Sequence, residues 1–470
     1  MSETLGMGMG GCEVVPTPAP VTRVEPQPPW PAPIQRSEFG ERARGTLAAA
    51  VPTVALVLLG GNTPHAAAAL TSAVLLAAGV VVSVRTSRGE RPLPVPSVSL
   101  PVLALAAIPA LQLLRWPTWL AEAIAPGLAR WAETVNGPLP SALTLYPDAT
   151  VTALMGWLGY GAWLVVALTL TSSEAARRAA LASLGVVGVA EAAFGVGNLW
   201  TGNLSVLGQP RVAYLGDATG TLLDPHHFAS VLILSGSALL AWSFLAAERR
   251  HRRRRQVLLL SVVTLLCIAL LASHSTVGFL AAVSAGTLAA LLSFPRDSDR
   301  RAARRIALAL GVGLIAIRAA AGLDLASEDP TAQQPITRGA LWSEALTVAR
   351  DFPLLGAGAG TFAHVLPAYR TIPGPAVLDH ARHDYLELAT EGGALALGIV
   401  LVAVMVFGRR TGRALGRLRT RSEHALIALM CGSAGVLLQG ALDDPLHSFA
   451  VALLCILVGA CALNLAAEAE

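Results

Sequence analysis

The chain has 470 residues, 54% of them hydrophobic and 14% charged, with a mean hydropathy of +0.59. That composition excludes an ordinary soluble globular domain. The net charge of +4, carried by Arg with no Lys anywhere, gives no ground for nucleic-acid binding.

Residues 1–44 carry Pro16, Pro18, Pro20, Pro26, Pro28, Pro29, Pro31 and Pro33, and read as a disordered, Pro-rich cytoplasmic tail. From residue 45 onward, apolar runs long enough to cross a bilayer recur near 45–62, 65–84, 98–114, 151–171, 179–198, 226–247, 256–272, 276–294, 306–322, 388–407, 424–442 and 447–466. The expected fold is therefore all-α. Residues 45–470 form one polytopic membrane domain of about twelve transmembrane helices, with a large external loop at 323–387 that carries short amphipathic helices. Many runs are rich in Ala and Gly, which allows close helix packing in lipid. Of the five Cys, Cys267, Cys431, Cys455 and Cys461 fall inside apolar runs and Cys12 in the tail, so no disulfide framework or zinc-ligand spacing is present.

Orientation follows from Arg. Most Arg residues lie in the tail and in alternate connections, notably 85–91, 249–255, 296–305 and 409–421. These are the cytoplasmic loops by the positive-inside rule, which puts both termini in the cytoplasm. The connections 115–150, 199–225 and 323–387 then face the opposite compartment. The first holds Trp116, Trp119 and Trp131, which suit a membrane interface. The second holds Arg211, then Asp224-Pro225-His226-His227. Asp224 with the two His residues raises a metal site, but adjacent His point in different directions on a helix and no further His lies nearby in the sequence.

The stretch from Thr337 to Gly398 is the most informative. Leu341, Trp342, Ala345, Leu346 and Ala349 form an apolar stripe at helical spacing, with Glu344 and Arg350 off it. Phe352-Pro353 ends that helix. Arg338 stands in its first turn, where a cation gains nothing from the helix dipole; an anion site and a solvated loop Arg both remain open. Leu355-Gly-Ala-Gly-Ala-Gly360 lacks the preceding strand and following Lys of a nucleotide loop, and reads as a flexible turn. His383, Glu387 and Glu391 fall on one helical face where the chain re-enters the membrane, a position at which ionisable groups tend to serve function.

Arg338 with Leu341-Trp342, then Pro353-Leu-Leu-Gly-Ala-Gly-Ala-Gly-Thr-Phe362, then His383-Asp-Tyr-Leu386 with Glu391 and Gly393, resembles the O-antigen ligase and polymerase family in order and spacing. The likeness spans roughly 146–465. It implies an enzyme: a metal-independent, inverting membrane glycosyltransferase, with no cofactor, that moves a glycan from undecaprenyl diphosphate to a sugar hydroxyl at the outer face of the bacterial inner membrane. Arg211 and Arg338, with Arg370 third, would hold the diphosphate, since the guanidinium fork binds phosphate in bidentate fashion. His383 would be the general base, with Glu387 or Glu391 orienting it and His380 as second choice. Asp224 and His226 stand where the family usually has Asn, which leaves their binding role open. Asp444, in the turn Asp443-Asp444-Pro445-Leu446-His447, would orient the acceptor or an Arg.

Polymerisation of O-antigen or exopolysaccharide, ligation to a lipid A-core acceptor and glycosylation of protein all fit the motifs. The first leans ahead, with a flippase and a chain-length regulator as expected partners. An anion or small-solute transporter is the alternative of another class, but the polar residues gather in external loops rather than at mid-membrane.

Overall fold

In the computed structural model the described residues are 38–58, 60, 64–87, 99–246, 252–293, a few positions between 305 and 316, 338–371 and 378–469. Among them helix dominates. In hydrocarbon the backbone finds no water, so each spanning segment must satisfy its own N–H and C=O groups. The first ten helices are α1 Glu38–Val57, α2 Pro64–Ser87, α3 Ser99–Leu113, α4 Thr118–Ile124, α5 Gly127–Thr134, α6 Pro147–Leu170, α7 Glu174–Thr201, α8 Pro225–Leu245, α9 Arg252–Ala272 and α10 Thr276–Ser293. They are followed by α11 Arg338–Asp351, α12 Phe362–Val365, α13 Asp384–Ala414, α14 Thr420–Gln439 and α15 Phe449–Ala467. The one sheet among the described residues pairs β1 Ser205–Val206 with β2 Gln209–Pro210.

Seven described helices are long and apolar enough to cross a membrane: α2, α6, α7, α8, α10, α13 and α15. Leu100–Leu113 of α3 and Val257–Ala272 of α9 are shorter apolar pieces. The expected spans near 45–62 and 424–442 are helical, as α1 and α14, but fall outside both groups. Their ends are polar: α1 opens with Glu38 and Glu41, and α14 with Arg421, Glu423 and His424. The expected span at 306–322, with Arg318, lies largely outside the described residues, as do Cys12 and residues 1–37. Helix α1 begins at Glu38, so residues 38–44, read from the sequence as tail, are helical.

Helix α8 packs against α7 and α14, and α15 against α6 and α14; together they bury the main apolar core. By contrast α9 exposes Val257, Leu258, Leu260 and Leu271, as a lipid-facing helix would. A second core joins α3, α4 and α5 to Val348, Phe352 and Leu355, and so ties the 338–360 segment to the bundle.

Helix α13 is two helices joined at Gly393, whose φ of 65° and ψ of −166° belong to a region open only to glycine. The break frees backbone groups, and the Gly-rich turn takes them up. Ala394 N–H donates to the Pro353 carbonyl (2.8 Å) and Leu395 N–H to that of Leu354 (3.2 Å). Ala357 N–H donates to the Thr390 carbonyl (2.8 Å), and Gln112 Nε2 to that of Glu391 (2.7 Å). Gly356, Gly358 and Gly360 all have positive φ, which lets the turn fold this tightly. The turn at 355–360 is thus a clamp on a broken helix, and the short first half of α13 hangs outside the long apolar half.

Candidate functional site

Three polar segments converge at one end of the bundle: the start of α8, residues 379–387 and the turn 443–447. Asp224 caps α8, its Oδ1 accepting from the N–H groups of His226 (2.7 Å) and His227 (3.2 Å). Its other oxygen lies 3.0 Å from Arg382 Nη1. The same Nη1 lies 3.2 Å from Asp444 Oδ1 and 3.9 Å from Asp443 Oδ1, while Nη2 is held more loosely, 3.4 Å from the Tyr214 hydroxyl. Arg382 therefore pins three segments together. Arg382 itself sits at φ 51°, uncommon for a residue with a side chain and consistent with a position fixed by its partners.

The charges are mutually set. Burial opposes ionisation of Asp444, but Arg382 and His227 outweigh it and hold its pKa well below the carboxylate range. Burial and the adjacent Asp444 push Asp443 the other way, so the pair carries its charge on Asp444. Asp224 is also held low, with His227 and Arg382 outweighing burial.

Beside this lies a second network. Glu387 is buried, and its Oε1 lies 2.8 Å from His380 Nδ1 and 3.0 Å from His447 Nε2. Its Oε2 accepts from Ala381 N–H at 2.7 Å. His447 Nδ1 is 2.9 Å from Asp384 Oδ1. The rings of His380 and His447 are 4.5 Å apart.

Both networks open into one cavity of about 660 Å³. Asp224, His227, His380, Arg382, Asp444 and His447 line its polar end, and Ala67, Ala68 and Leu75 of α2 with Val151 and Met155 of α6 line its apolar side. A smaller cavity of about 310 Å³, between α3, α6 and α13, shares Gly156, Tyr160 and His447 with it and holds Glu391 and Asp384. Such a site presents cations and an imidazole beside a wall suited to an apolar chain. His380, Asp444 and His447 bring donor atoms within 4.8 Å of one another. His380 Nδ1, Asp444 Oδ1 and His447 Nδ1 already face Glu387, Arg382 and Asp384.

Of the residues singled out in the sequence, Asp224 and Asp444 line the wide cavity and Glu391 the smaller one. His226 lies just behind, its Nδ1 2.8 Å from Ser275 Oγ and 3.1 Å from Asp443 Oδ2. Arg338 is buried and donates to the Leu442 carbonyl, with Asp443 at 3.9 Å, so it props the 443–447 turn from behind. Arg211 is buried and donates to the carbonyls of Tyr214 and Asp217, folding its own loop. Arg338, Arg211 and Arg370 are not among the lining residues of either cavity.

His383 caps α13: its Nδ1 accepts from Leu386 N–H at 3.3 Å, and Trp342 packs edge-on against the ring at 5.2 Å. With Nδ1 accepting, the neutral ring carries its proton on Nε2 and has no second lone pair to offer. Burial also lowers its pKa. Glu387 and Glu391 do share a face, but the partners of Glu387 are His380 and His447, and Glu391 accepts from Phe362 N–H at 3.0 Å. On α11, Glu344 was expected off the apolar stripe but is buried, accepting from the N–H and hydroxyl of Thr371 (2.6 and 2.8 Å), and Leu346 is exposed instead.

No curated protein matches the chain. The family model described as O-antigen ligase matches residues 229–402, a stretch that runs from α8 to the apolar half of α13 and includes His380, Arg382 and Glu387. The match spans less than half of the chain and supports a likeness to the O-antigen ligase and polymerase family.

Proposed function

We propose that this chain transfers a glycan from undecaprenyl diphosphate to a sugar hydroxyl at the periplasmic face of the inner membrane, in the polymerisation of an exported polysaccharide. The observation that carries this reading is the wide cavity. It sets Arg382, His380 and His447 against an apolar wall built by two membrane-spanning helices. A diphosphate with an isoprenoid tail has that division of charge and grease. Arg382 Nη2, only loosely held by Tyr214, is the donor left for phosphate.

The leaving diphosphate needs stabilisation of negative charge rather than a strong acid. The acceptor needs a base, and His380 is placed for it. Its Nδ1 is committed to Glu387, which leaves Nε2 to take the proton, and the ring lines the cavity. In the step, the acceptor oxygen gives its proton to His380 Nε2 and forms the new bond to the anomeric carbon. The bond from that carbon to the phosphate oxygen breaks, and its electrons leave with the diphosphate. Attack from the face opposite the leaving group inverts the centre.

Undecaprenyl diphosphate itself tests the donor site. Native mass spectrometry of the purified protein should show it bound. Arg382→Ala should weaken that binding, and so should Ala68→Trp, which fills the apolar wall. Undiminished binding in both variants would put the lipid elsewhere.

A further inference from the structure

We infer that His447 is a positioning residue for His380: a fixed imidazolium that shares the Glu387 carboxylate and keeps the His380 ring available to accept a proton. This rests on the reading of His380 as the acceptor's base.

The charge state of His447 follows from its two contacts. Nδ1 faces Asp384 at 2.9 Å and Nε2 faces Glu387 at 3.0 Å. A neutral imidazole has one N–H and would leave one lone pair against a carboxylate, so only the doubly protonated ring satisfies both. Burial resists that charge, yet the two carboxylates hold its pKa well above the ordinary value.

The consequence falls on His380. Glu387 Oε1 is the partner of both rings. A carboxylate facing a single His would favour the imidazolium and spoil it as a base. Here the second ring already supplies a cation 4.5 Å away, centroid to centroid, and a second positive charge is disfavoured. The groups that act on His380 are Glu387, His447 and Asp444; those around His447 are Asp384, Glu387 and Glu391 on α13, Tyr160 on α6 and His380. Burial opposes protonation of His380 and Glu387 lifts its pKa above the ordinary value, against the pull of His447. Loss of the His447 charge removes that pull, so the pKa of His380 rises further.

Carbethoxylation by diethyl pyrocarbonate reads this without an activity assay, because the reagent attacks neutral imidazole. Purified full-length protein in detergent is treated from about pH 5 to about pH 9, a range that brackets the ordinary His pKa, and modification of the His380 peptide is followed by mass spectrometry. In His447→Gln the His380 midpoint should rise by about one pH unit, whereas His447→Lys, which keeps the charge, should leave it within about 0.3 unit. If His447→Gln does not insert, His447→Met takes its place. An unmoved midpoint in the uncharged variant, or an equal rise in the Lys variant, overturns the inference. Transfer by His380→Gln is measured alongside. Full transfer by that variant would overturn the base assignment, and a moved midpoint would still establish the electrostatic link.

Discussion

Arg382 offers the sharpest separation of holding from catalysing. Its Nη1 lies 3.0 Å from Asp224 and 3.2 Å from Asp444, and Asp444 is 1% exposed. Removing the cation leaves buried carboxylates against each other. Breaking a buried pair in this way costs about 3–5 kcal/mol. The Arg382 side chain keeps 31% exposure, which lets water in and favours the low end, about 3 kcal/mol for Arg382→Ala. Adding Asp444→Asn removes one orphaned charge and should recover roughly half of that loss. It should recover none of the transfer, because the phosphate donor is still missing. Thermal unfolding in detergent gives the first quantity, and release of undecaprenyl diphosphate from a lipid-linked glycan the second. A single variant as stable as the parent, or a double variant that regains transfer, would refute the assignment.

Four further outcomes follow. His380→Gln should lower transfer by on the order of 10²-fold or more, the usual scale for a lost base, while His383→Gln, which can still cap, should stay within a few-fold; the reverse order would restore His383 as the base. Gly393→Ala places a Cβ against the Leu354 carbonyl at a backbone geometry that costs about 1–3 kcal/mol, and a variant with unchanged unfolding temperature would contradict the clamp. Asp224 and Asp444 have folded pKa values below their unfolded ones. Their stabilisation is present above about pH 4 and fades as pH falls through the folded values. His447 has a raised folded pKa, so its share is full below about pH 6.5 and is lost above that, as pH rises through the folded value; acid scans of Asp444→Asn and alkaline scans of His447→Gln should each flatten the matching limb. A reporter fused after Arg413 should report cytoplasm and one near Pro373 periplasm, and the opposite result would leave the proposed site without its substrate.

The membrane class and most spans were legible because hydrocarbon imposes a length and a composition on each helix. The clamp was half legible: Gly356, Gly358 and Gly360 read as a flexible turn, but nothing local said that the turn serves a break at Gly393. The site was less so. Arg382 looked like one more external Arg, and His380 lay outside the His383-Asp-Tyr-Leu386 pattern. Their importance comes from Asp224, 158 positions away from Arg382, and from Glu387 and His447 closing on one another in space. Arg211 and Arg338 drew notice as phosphate binders, and each also donates to backbone carbonyls, a use with no local sequence signal. His447 was visible in the 443–447 turn, but its two carboxylates come from the start of α13.

The central claim is that the 660 Å³ cavity holds a lipid-linked glycan and transfers it. The most direct measurement reconstitutes the purified chain in liposomes with an undecaprenyl-diphosphate-linked glycan from the source cell's membranes, with no nucleotide added. Lengthened lipid-linked glycan, one undecaprenyl diphosphate released per transfer, and loss of both in Arg382→Ala are the expected results. Turnover that requires a nucleotide sugar, or uptake of a solute with no glycan lengthened, would contradict it.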